Sequence, residues 1–428
     1  KYFKIFHLNL KIRIFFNQSL MSIKDDENFD VIIVGAGISG LNCANKLISE
    51  GLSVLVIEKS DSVGGRIKTD LVNGFKLNRG FHVLLTAYPE VKNTFHSESL
   101  NFRKFFPGCS IWTGISMVDL VNPLRHPLKG VKQLINPVGK FKDYLILIYL
   151  WFVLQFGLQT KKRISTNEYF NYLGFSDLFI TRFLKPFFSG VFLEDQLDTS
   201  VKKFNDVFKC FLRGDIVLPL NGINSLADQL HENISDCKII FNSEVVTISE
   251  TEVQLTNGKK FKANYFVLAS DLKSRNRLLG MDIRSKFNRV VNLYFSYNKS
   301  SKLTEYKLVL NGSDSGPINN LVCFGDDFSD DDTGLLSVSI IKPQYFELDN
   351  LEEVVLKQLE EWYGAGLGLK FLKKYDIREA VPFQPEIGKF NLRIRENIYC
   401  CGDYCGVASL NTALKSSRMI AESIASKN

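Results

Sequence analysis

Two short, continuous apolar runs near the start of the chain enclose a segment with helical periodicity. The runs occupy residues 31–34 and 54–57, and each has the length of a strand buried on both faces of a parallel sheet. Between them, apolar residues recur as on one face of a helix: Leu41, Ala44, Leu47 and Ile48. Gly51 stands where such a helix would end. The pattern predicts a strand, a helix and a second parallel strand.

Further elements follow from the same kind of pattern. Residues 140–215 are predicted to form helices, and residues 289–298 and 334–342 are predicted to form sheet strands. Segment 350–364 is predicted to be an amphipathic helix whose apolar side chains belong to a core: Leu351, Val354, Val355, Leu359 and Trp362. The chain closes on a strand, a Gly-Asp pair and a helix that begins near Asn411.

An apolar stretch at 144–158 raises the question of membrane contact. Its fifteen residues carry no charged side chain, but a helix that spans a bilayer needs roughly 20 residues. A helix packed inside the second domain is the favoured interpretation. The alternative is a patch that dips into one face of a membrane, which would make the protein peripheral on that membrane.

Composition and charge exclude several classes of protein. The length of 428 residues favours two domains, and 45% apolar with 23% charged residues is ordinary for a globular protein. The net charge of +7 comes from scattered Lys and Arg residues, unlike the concentrated basic surface of nucleic-acid-binding proteins. The eight cysteines form no CxxC pair and no cluster with metal-ligand spacing. We therefore expect free thiols, a reducing cytoplasmic location, no metal and no nucleic acid.

The first residues differ in character from the rest. Residues 1–20 contain no acidic side chain, and Met21 follows them. We interpret residues 1–27 as an N-terminal extension outside the fold, and a start at Met21 is the favoured explanation. A basic anchor on a membrane surface is the alternative.

The turn after the first strand carries three glycines in the order G-x-G-x-x-G: Gly35, Gly37 and Gly40. In a strand–turn–helix unit the first glycine permits the tight turn, the second lets a pyrophosphate approach the backbone, and the third lets helix and strand pack closely. Glu58 lies eighteen residues beyond Gly40, where a carboxylate can accept hydrogen bonds from adenosine ribose hydroxyls. The sequence therefore predicts a dinucleotide site.

Directly after Glu58 comes the stretch "KSDSVGGRIKT", which contains Gly64, Gly65 and Arg66. With the glycine turn and the ribose acid, this element resembles the signature of the flavin-containing amine oxidase superfamily, which includes monoamine and polyamine oxidases, carotenoid desaturases and protoporphyrinogen oxidase. The resemblance implies that Arg66 lies against the phosphates of FAD, where a guanidinium neutralises a buried diphosphate. A nicotinamide dehydrogenase has no need of this second element, so FAD is expected in place of NAD.

The resemblance continues along almost the whole chain and implies further contacts. Segment 74–90 resembles the family segment beside the isoalloxazine ring, although Asn78 stands where many relatives have Asp. Segment 218–230 resembles the family's glycine turn and helix, Val245 matches the position whose backbone meets adenine, and Asp403 matches the acid that binds the ribityl chain. The N-terminus of the last helix would face the N1 and C2-oxygen side of the flavin. The cofactor-binding residues implied in this way are Gly35, Ala36, Gly37, Ser39, Gly40, Glu58, Lys59, Gly65, Arg66, Gly80, Phe81, His82, Val245, Gly402, Asp403 and Leu410.

The predicted fold class is α/β, with a discontinuous Rossmann-like FAD-binding domain and an α+β substrate domain, as in amine oxidases and glutathione reductase-like proteins. The FAD-binding domain is expected to comprise residues 28–115, 215–275 and 388–428. The substrate domain is expected to comprise residues 116–214 and 276–387.

The resemblance implies an FAD-dependent oxidoreductase, because flavin accepts hydride while the protein binds and orients the substrate. Residues 371–382 lack the cysteine that links flavin in some amine oxidases, so FAD is expected to be noncovalent. Ser409 stands where amine oxidases place an aromatic Tyr, which favours a lipophilic small molecule and a desaturase-like or dehydrogenase-like reaction. No second G-x-G-x-x-G offers a nicotinamide site, so oxygen or a quinone is the expected electron acceptor.

Two alternatives stay open for the function: a flavin amine oxidase that uses oxygen, and a non-catalytic lipid- or prenyl-binding protein on the same fold. No catalytic residue is assigned. His82 is the ionisable side chain expected near the ring, and we interpret it as a packing or hydrogen-bonded histidine in preference to a general base.

Overall fold

The computed structural model describes residues 28–122, 137–158, 162–283, 286–298, 303–329, 333–387 and 390–427. The predicted extension 1–27 lies outside the described residues. The strands are β1 (Asn28–Val34), β2 (Val54–Ile57), β3 (Thr69–Val72), β4 (Phe75–Asn78), β5 (Leu84–Leu85), β6 (Phe102–Lys104), β7 (Gly108–Trp112), β8 (Met117–Val121), β9 (Ile216–Pro219), β10 (Lys238–Ile240), β11 (Val245–Ile248), β12 (Glu252–Leu255), β13 (Lys260–Leu268), β14 (Phe287–Asn298), β15 (Leu308–Asn311), β16 (Asn320–Cys323), β17 (Thr333–Ile340), β18 (Lys370–Pro382) and β19 (Ile398–Cys400). The helices are α1 (Ile38–Ser49), α2 (Pro89–Thr94), α3 (Phe141–Gln155), α4 (Thr166–Leu173), α5 (Asp177–Phe179), α6 (Lys185–Phe192), α7 (Val201–Arg213), α8 (Ser225–Glu232), α9 (Leu272–Leu278), α10 (Leu351–Tyr363) and α11 (Leu410–Ala425).

The first sheet has the strand order β10-β2-β1-β13-β12-β11, and β19 also pairs with β13. Strands β10, β2, β1, β13 and β19 run parallel to their neighbours in this group. Alternate residues of β1 belong to separate apolar clusters on the two faces of the sheet. Burial on both faces explains why β1 is a continuous apolar run in the sequence. Strand, helix and strand follow each other as the sequence predicts.

The second sheet has the strand order β18-β14-β17-β16-β15-β7-β8. The predicted strands at 289–298 and 334–342 are confirmed as β14 and β17, and the predicted helix at 350–364 is confirmed as α10. Helix α10 packs on this sheet through buried residues that include Leu351, Val355 and Leu359. Val354, which the sequence analysis placed in the core, is 41% exposed. That assignment was wrong because Val354 lies off the buried stripe of the helix.

The chain enters the second sheet earlier than the predicted boundary between residues 115 and 116. Strand β7 begins at Gly108, pairs with β8 and lies parallel to β15. Residues Cys109 to Trp112 of β7 are all buried, and no local pattern in the sequence shows which sheet the strand joins. We move this boundary to before Gly108 and keep the other predicted boundaries as a proposal.

Helices α3 to α7 occupy the region that the sequence predicts as helical. They bury a cluster of aromatic rings: Phe170, Phe179, Phe188, Phe192 and Phe204. The apolar stretch of the sequence forms α3, which has fifteen residues. Within the parts of the chain that the structure describes, no helix is both long and apolar enough to cross a bilayer.

Candidate functional site

A cavity of about 670 Å³ lies where the first sheet meets the helices of the second part of the chain. Most of the predicted cofactor residues line it: Gly35, Gly37, Ser39, Glu58, Lys59, Gly65, Arg66, Phe81, His82, Val245, Gly402, Asp403 and Leu410. The other three, Ala36, Gly40 and Gly80, neighbour lining residues in the chain but are not part of the wall. The structure therefore brings together segments that are far apart in sequence.

The glycine turn joins β1 to α1. Gly35 has a φ of +110°, and a Cβ at Gly40 would lie 1.9 Å from the carbonyl oxygen of Gly35, so a side chain there is excluded. A Cβ at Gly37 would come no closer than 3.9 Å to another atom, the Cα of Gly65. No side chain caps the N-terminus of α1, which leaves its first N–H groups directed at the cavity as an anion site. This cradle fits the predicted position of a diphosphate.

Glu58 follows β2 and is 7% exposed. Its Oε2 accepts a hydrogen bond from the Ala36 N–H at 2.7 Å. Its Oε1 accepts from the N–H and the hydroxyl of Ser60 at 2.9 and 2.7 Å. These bonds hold the carboxylate in one orientation at the cavity wall. Since each carboxylate oxygen has two lone pairs, Oε2 keeps one for a ribose hydroxyl.

Arg66 and Asp403 form a direct ion pair across 337 positions of sequence, with 2.6 Å between Nη2 and Oδ1. Arg66 Nη1 donates to the carbonyl oxygen of Ala380 at 3.1 Å. The negative charge of Asp403 raises the pKa of Arg66. The Asp403 side chain is 10% exposed and the Arg66 side chain is 45% exposed. Both residues line the cavity. The pair joins the cavity wall around Gly64 and Gly65 to the wall in front of α11.

The loop in front of α11 is fixed by side-chain bonds. Ser409 caps the helix, since its Oγ accepts from the Thr412 N–H at 3.2 Å. Gln384 donates from Nε2 to the Gly406 carbonyl oxygen at 2.7 Å and accepts at Oε1 from the Ala408 N–H at 2.8 Å. The N-terminus of α11 is thereby held at the cavity, where its dipole favours negative charge.

His82 lies in the cavity wall, with its Nε2 3.0 Å from the carbonyl oxygen of Arg79. Burial lowers the pKa of His82, and the positive charge of Arg66 lowers it further. A neutral imidazole that donates to a carbonyl agrees with the interpretation as a hydrogen-bonded histidine. Asn78 is 3% exposed, and its side-chain oxygen accepts from the Thr69 hydroxyl at 2.8 Å, so this amide serves contacts within the protein.

The part of the cavity wall contributed by α6, α7 and β15 is apolar, and we call it the apolar chamber: Phe187, Val191, Val207, Phe211, Leu308 and Leu310. None of these residues is among the site residues predicted from the sequence. Lys203 on α7, the one charged side chain among the described lining residues of these three elements, was missed as well. Lys203, Val207 and Phe211 recur every four positions, so helical spacing could have placed them on one face.

The sequence matches the family model for flavin containing amine oxidoreductases over residues 38–425, which is most of the chain. The chain belongs to this family. Its cofactor is FAD, and the uncapped helix α1, the carboxylate of Glu58 and the cation of Arg66 are chemically suited to the phosphates and ribose of that cofactor. No cysteine is among the described residues of the cavity wall, and noncovalent attachment of FAD stays a prediction.

Individual relatives align with a much smaller part of the chain than the family model does. Protoporphyrinogen oxidase 2 of Arabidopsis thaliana is 31% identical over 126 residues, which are 28% of this chain and 24% of that protein. The 15-cis-phytoene desaturase of Narcissus pseudonarcissus is 32% identical over 118 residues, 26% of this chain and 21% of that protein. The aligned part is thus less than a quarter of either relative.

Similarity of fold extends further than similarity of sequence. The crystal structure of an oxidoreductase from Methanosarcina mazei has a TM-score of 0.72 with this chain at 16% identity, and it covers 91% of this chain and 99% of that chain. Together with the two sheets, this similarity confirms the predicted fold class. The oxidoreductase class is confirmed by the family match.

Proposed function

We propose that the protein uses FAD to remove hydride from a lipophilic small molecule, in a desaturase-like or dehydrogenase-like reaction, and that oxygen or a quinone takes up the electrons. One observation carries the proposal: a single cavity is lined both by the glycine turn and by the apolar chamber. Bound FAD supplies the hydride acceptor. The chain's own residues bind the substrate, orient it and exclude water from the chamber.

The lining of the chamber supports a lipophilic substrate. Its side chains are aromatic or aliphatic, and no carboxylate of α6, α7 or β15 is among the described lining residues. The similarity to a phytoene desaturase and a protoporphyrinogen oxidase supports the same class of reaction.

A flavin amine oxidase that uses oxygen is the second candidate, and the name of the family favours it. The chamber argues against it, since the cation of Lys203 would repel an ammonium substrate. Ser409, which stands in place of the expected aromatic Tyr, caps α11 and contributes no ring to the wall. The non-catalytic alternative is not retained, because the family match makes the protein an oxidoreductase.

The test begins with the purified protein, whose absorbance should show bound flavin. Under anaerobic conditions, carotenoid precursors or protoporphyrinogen should bleach that absorbance, whereas simple amines should not. Admitting oxygen or adding a quinone then identifies the acceptor that restores it. Bleaching by amines alone would replace the first proposal with the second, and a native protein without flavin would contradict both.

We also propose that α3 rests on the surface of an anionic membrane. One side of this helix exposes apolar side chains to between 47% and 65%: Phe141, Leu145, Ile148, Tyr149, Phe152 and Phe156. Exposed cationic residues precede and follow the helix in sequence: Lys140, Lys142, Lys162 and Arg163. Asp143, the acid of α3, is fully buried and accepts from Ser176. An apolar stripe between cations fits the boundary between acyl chains and anionic headgroups.

Sedimentation with vesicles tests the membrane proposal. The protein should sediment with phosphatidylglycerol–phosphatidylcholine vesicles and less with phosphatidylcholine alone, and the double variant Ile148→Glu, Phe152→Glu should stay in solution. Val354→Glu, on the exposed side of α10, is the matched control and should sediment like the unchanged protein. Equal sedimentation of the double variant, or none of the unchanged protein, would reject α3 as a membrane contact.

A further inference from the structure

Lys203 is a buried cation of the cavity wall, and no acidic side chain among the described residues pairs with it. Lys203 stands in the first turn of α7, is 3% exposed and lines the cavity. Its Nζ lies 5.3 Å from the centre of the Phe192 ring. Among the described residues, none accepts a hydrogen bond from this ammonium and none forms an ion pair with it.

Such an arrangement is unfavourable unless something else binds there. An ammonium has three donors, and burying it without acceptors costs free energy. The positive end of the α7 dipole adds to that cost. Burial lowers the pKa of Lys203 to about 8, although the negative charges of Glu194 and Asp403 act in the opposite direction. The side chain is therefore still mainly protonated at pH 7.

Two carboxylates act on Lys203 from nearby, those of Glu194 and Asp403. Glu194 accepts at Oε1 from the Thr199 N–H at 2.7 Å, and its Oε2 is buried without a hydrogen-bond partner among the described residues. Asp403 is paired with Arg66. Neither carboxylate supplies a direct contact to Lys203, so the place beside its ammonium is suited to an anion from outside the chain.

Lys203 also stands where the chamber meets the start of α11. The Ser200 N–H, one turn earlier, donates to the carbonyl oxygen of Gln384 at 3.3 Å. The side chain of Gln384 holds Gly406 and Ala408 in the loop before α11. A group bound to Lys203 would thus be fixed beside the part of the cavity wall formed by residues 408–410.

We propose that Lys203 binds the anionic group of the substrate, and that the substrate is an apolar molecule carrying a carboxylate. This inference rests on the proposed function and narrows its substrate class. A carboxylate would accept charge-assisted hydrogen bonds from the ammonium, and these are stronger than hydrogen bonds between neutral groups. The apolar body of the same molecule would fill the chamber. An amine of the same shape would bring a second positive charge against Lys203.

Three ligands of equal chain length test the proposal on the FAD-loaded protein: dodecanoate, methyl dodecanoate and dodecylamine. Their dissociation constants are measured from the change in flavin absorbance. Dodecanoate should bind at least about tenfold more tightly than its ester, since a hydrogen bond to a charged group is worth that much or more. In Lys203→Met the two constants should become similar, and Lys203→Arg should keep a preference for the acid.

Lys202→Met is the matched control, because Lys202 is the exposed neighbour of Lys203 on the same turn. Its acid-to-ester ratio should equal that of the unchanged protein. The flavin content of each variant reports whether it folds and holds FAD, so a variant that fails to fold is recognised independently.

Dependence on pH gives a second readout. The charged groups that act on Lys203 are Glu194, in the loop between α6 and α7, and Asp403, in front of α11. Dodecanoate should bind more weakly as the pH rises through about 8, where Lys203 loses its proton, while the ester should not respond. Tighter binding of dodecylamine, an unchanged ratio in Lys203→Met, or no response to any ligand would overturn the proposal. A protein that holds no flavin would instead contradict the proposed function.

Discussion

At the scale of single residues, two glycines of one turn are required for different reasons: Gly40 for packing within the protein and Gly37 for ligand binding. Gly40→Ala would put a Cβ 1.9 Å from the Gly35 carbonyl oxygen, and we expect a loss of about 3 kcal/mol or more in the free energy of unfolding, at the upper end of overpacking effects. Gly37→Ala has room within the protein, but its methyl group would occupy the diphosphate cradle. It should therefore fold and unfold like the unchanged protein while binding no FAD.

Urea unfolding and flavin absorbance measure these two outcomes separately. The flavin-free protein is the proper reference for the stability of Gly37→Ala. If Gly37→Ala retained bound flavin, the diphosphate could not lie over this turn.

The ion pair of Arg66 and Asp403 allows a second prediction. Arg66→Met would leave the Asp403 carboxylate, 10% exposed, without its cation. Because nearly half of the Arg66 side chain is accessible, screening reduces the cost, and we expect a loss of about 1–2 kcal/mol together with weaker FAD binding. Lys273→Met removes a more exposed ion pair, in which Lys273 Nζ lies 3.4 Å from Glu379 Oε1. This substitution should lower the free energy of unfolding by less than about 1 kcal/mol. Urea unfolding of both variants makes the comparison, and equal losses would contradict it.

His82 should make stability depend on pH in a defined direction. Burial lowers its pKa in the folded protein, whereas the unfolded chain protonates near the ordinary value of about 6.5. Since the unfolded state binds this proton first, stability falls as the pH drops below about 6.5. His82→Gln should therefore lose less stability than the unchanged protein between pH 7.5 and pH 5.5 in urea unfolding. His96→Gln, at an exposed position, should behave like the unchanged protein.

At the residue scale, the sequence could place side chains relative to one another where the signal is local. Gly35, Gly37, Gly40 and Glu58 lie within one strand–helix–strand unit, so their spacing alone places them around one turn. Lys203 was missed because a lysine in an amphipathic helix usually points to water, and only the sheet and helices packed around α7 bury it.

At the scale of elements, α1 and α11 are joined by a buried amide. Asn42 of α1 is 1% exposed and donates from Nδ2 to the Leu414 carbonyl oxygen at 3.1 Å and to the Ser417 hydroxyl at 2.8 Å. Asn42→Ala removes both bonds, and we expect a loss of about 1–3 kcal/mol in the free energy of unfolding. Asn45→Ala, on the same helix at a half-buried position, should change stability by less than about 0.5 kcal/mol. A similar effect of both substitutions in chemical denaturation would show that the amide bridge is unimportant.

Element types were predictable where the sequence pattern is clear, as in the apolar runs of β1 and β14 and the helical spacing of α10. The sheet to which a strand belongs was not predictable in the same way. β7 directly follows the first FAD-binding segment in sequence, yet it pairs with β15, almost two hundred residues later. Such a pairing depends on contacts that no local pattern encodes.

At the scale of the whole molecule, the proposed FAD contacts come from three separate segments of the chain, around residues 35–82, 245 and 402–410. A ligand that binds only the folded state stabilises it by mass action, by about 2.7 kcal/mol at a hundredfold excess over its dissociation constant. The melting temperature should therefore rise with the FAD concentration by several degrees and should not respond to NAD. Gly37→Ala should show no such rise. Thermal unfolding of the flavin-stripped protein makes the measurement, and an equal response to both dinucleotides would argue against a specific FAD site.

The pairing of Arg66 with Asp403 also has a consequence for when the cofactor site can be completed during protein synthesis. The two residues are separated by 337 positions, and a ribosome that adds about 5–20 residues per second needs roughly 17–67 s to travel between them. During that time the nascent polypeptide already carries its phosphate cradle but lacks the facing wall. We therefore expect the coenzyme to be loaded late, after most of the polypeptide has been made.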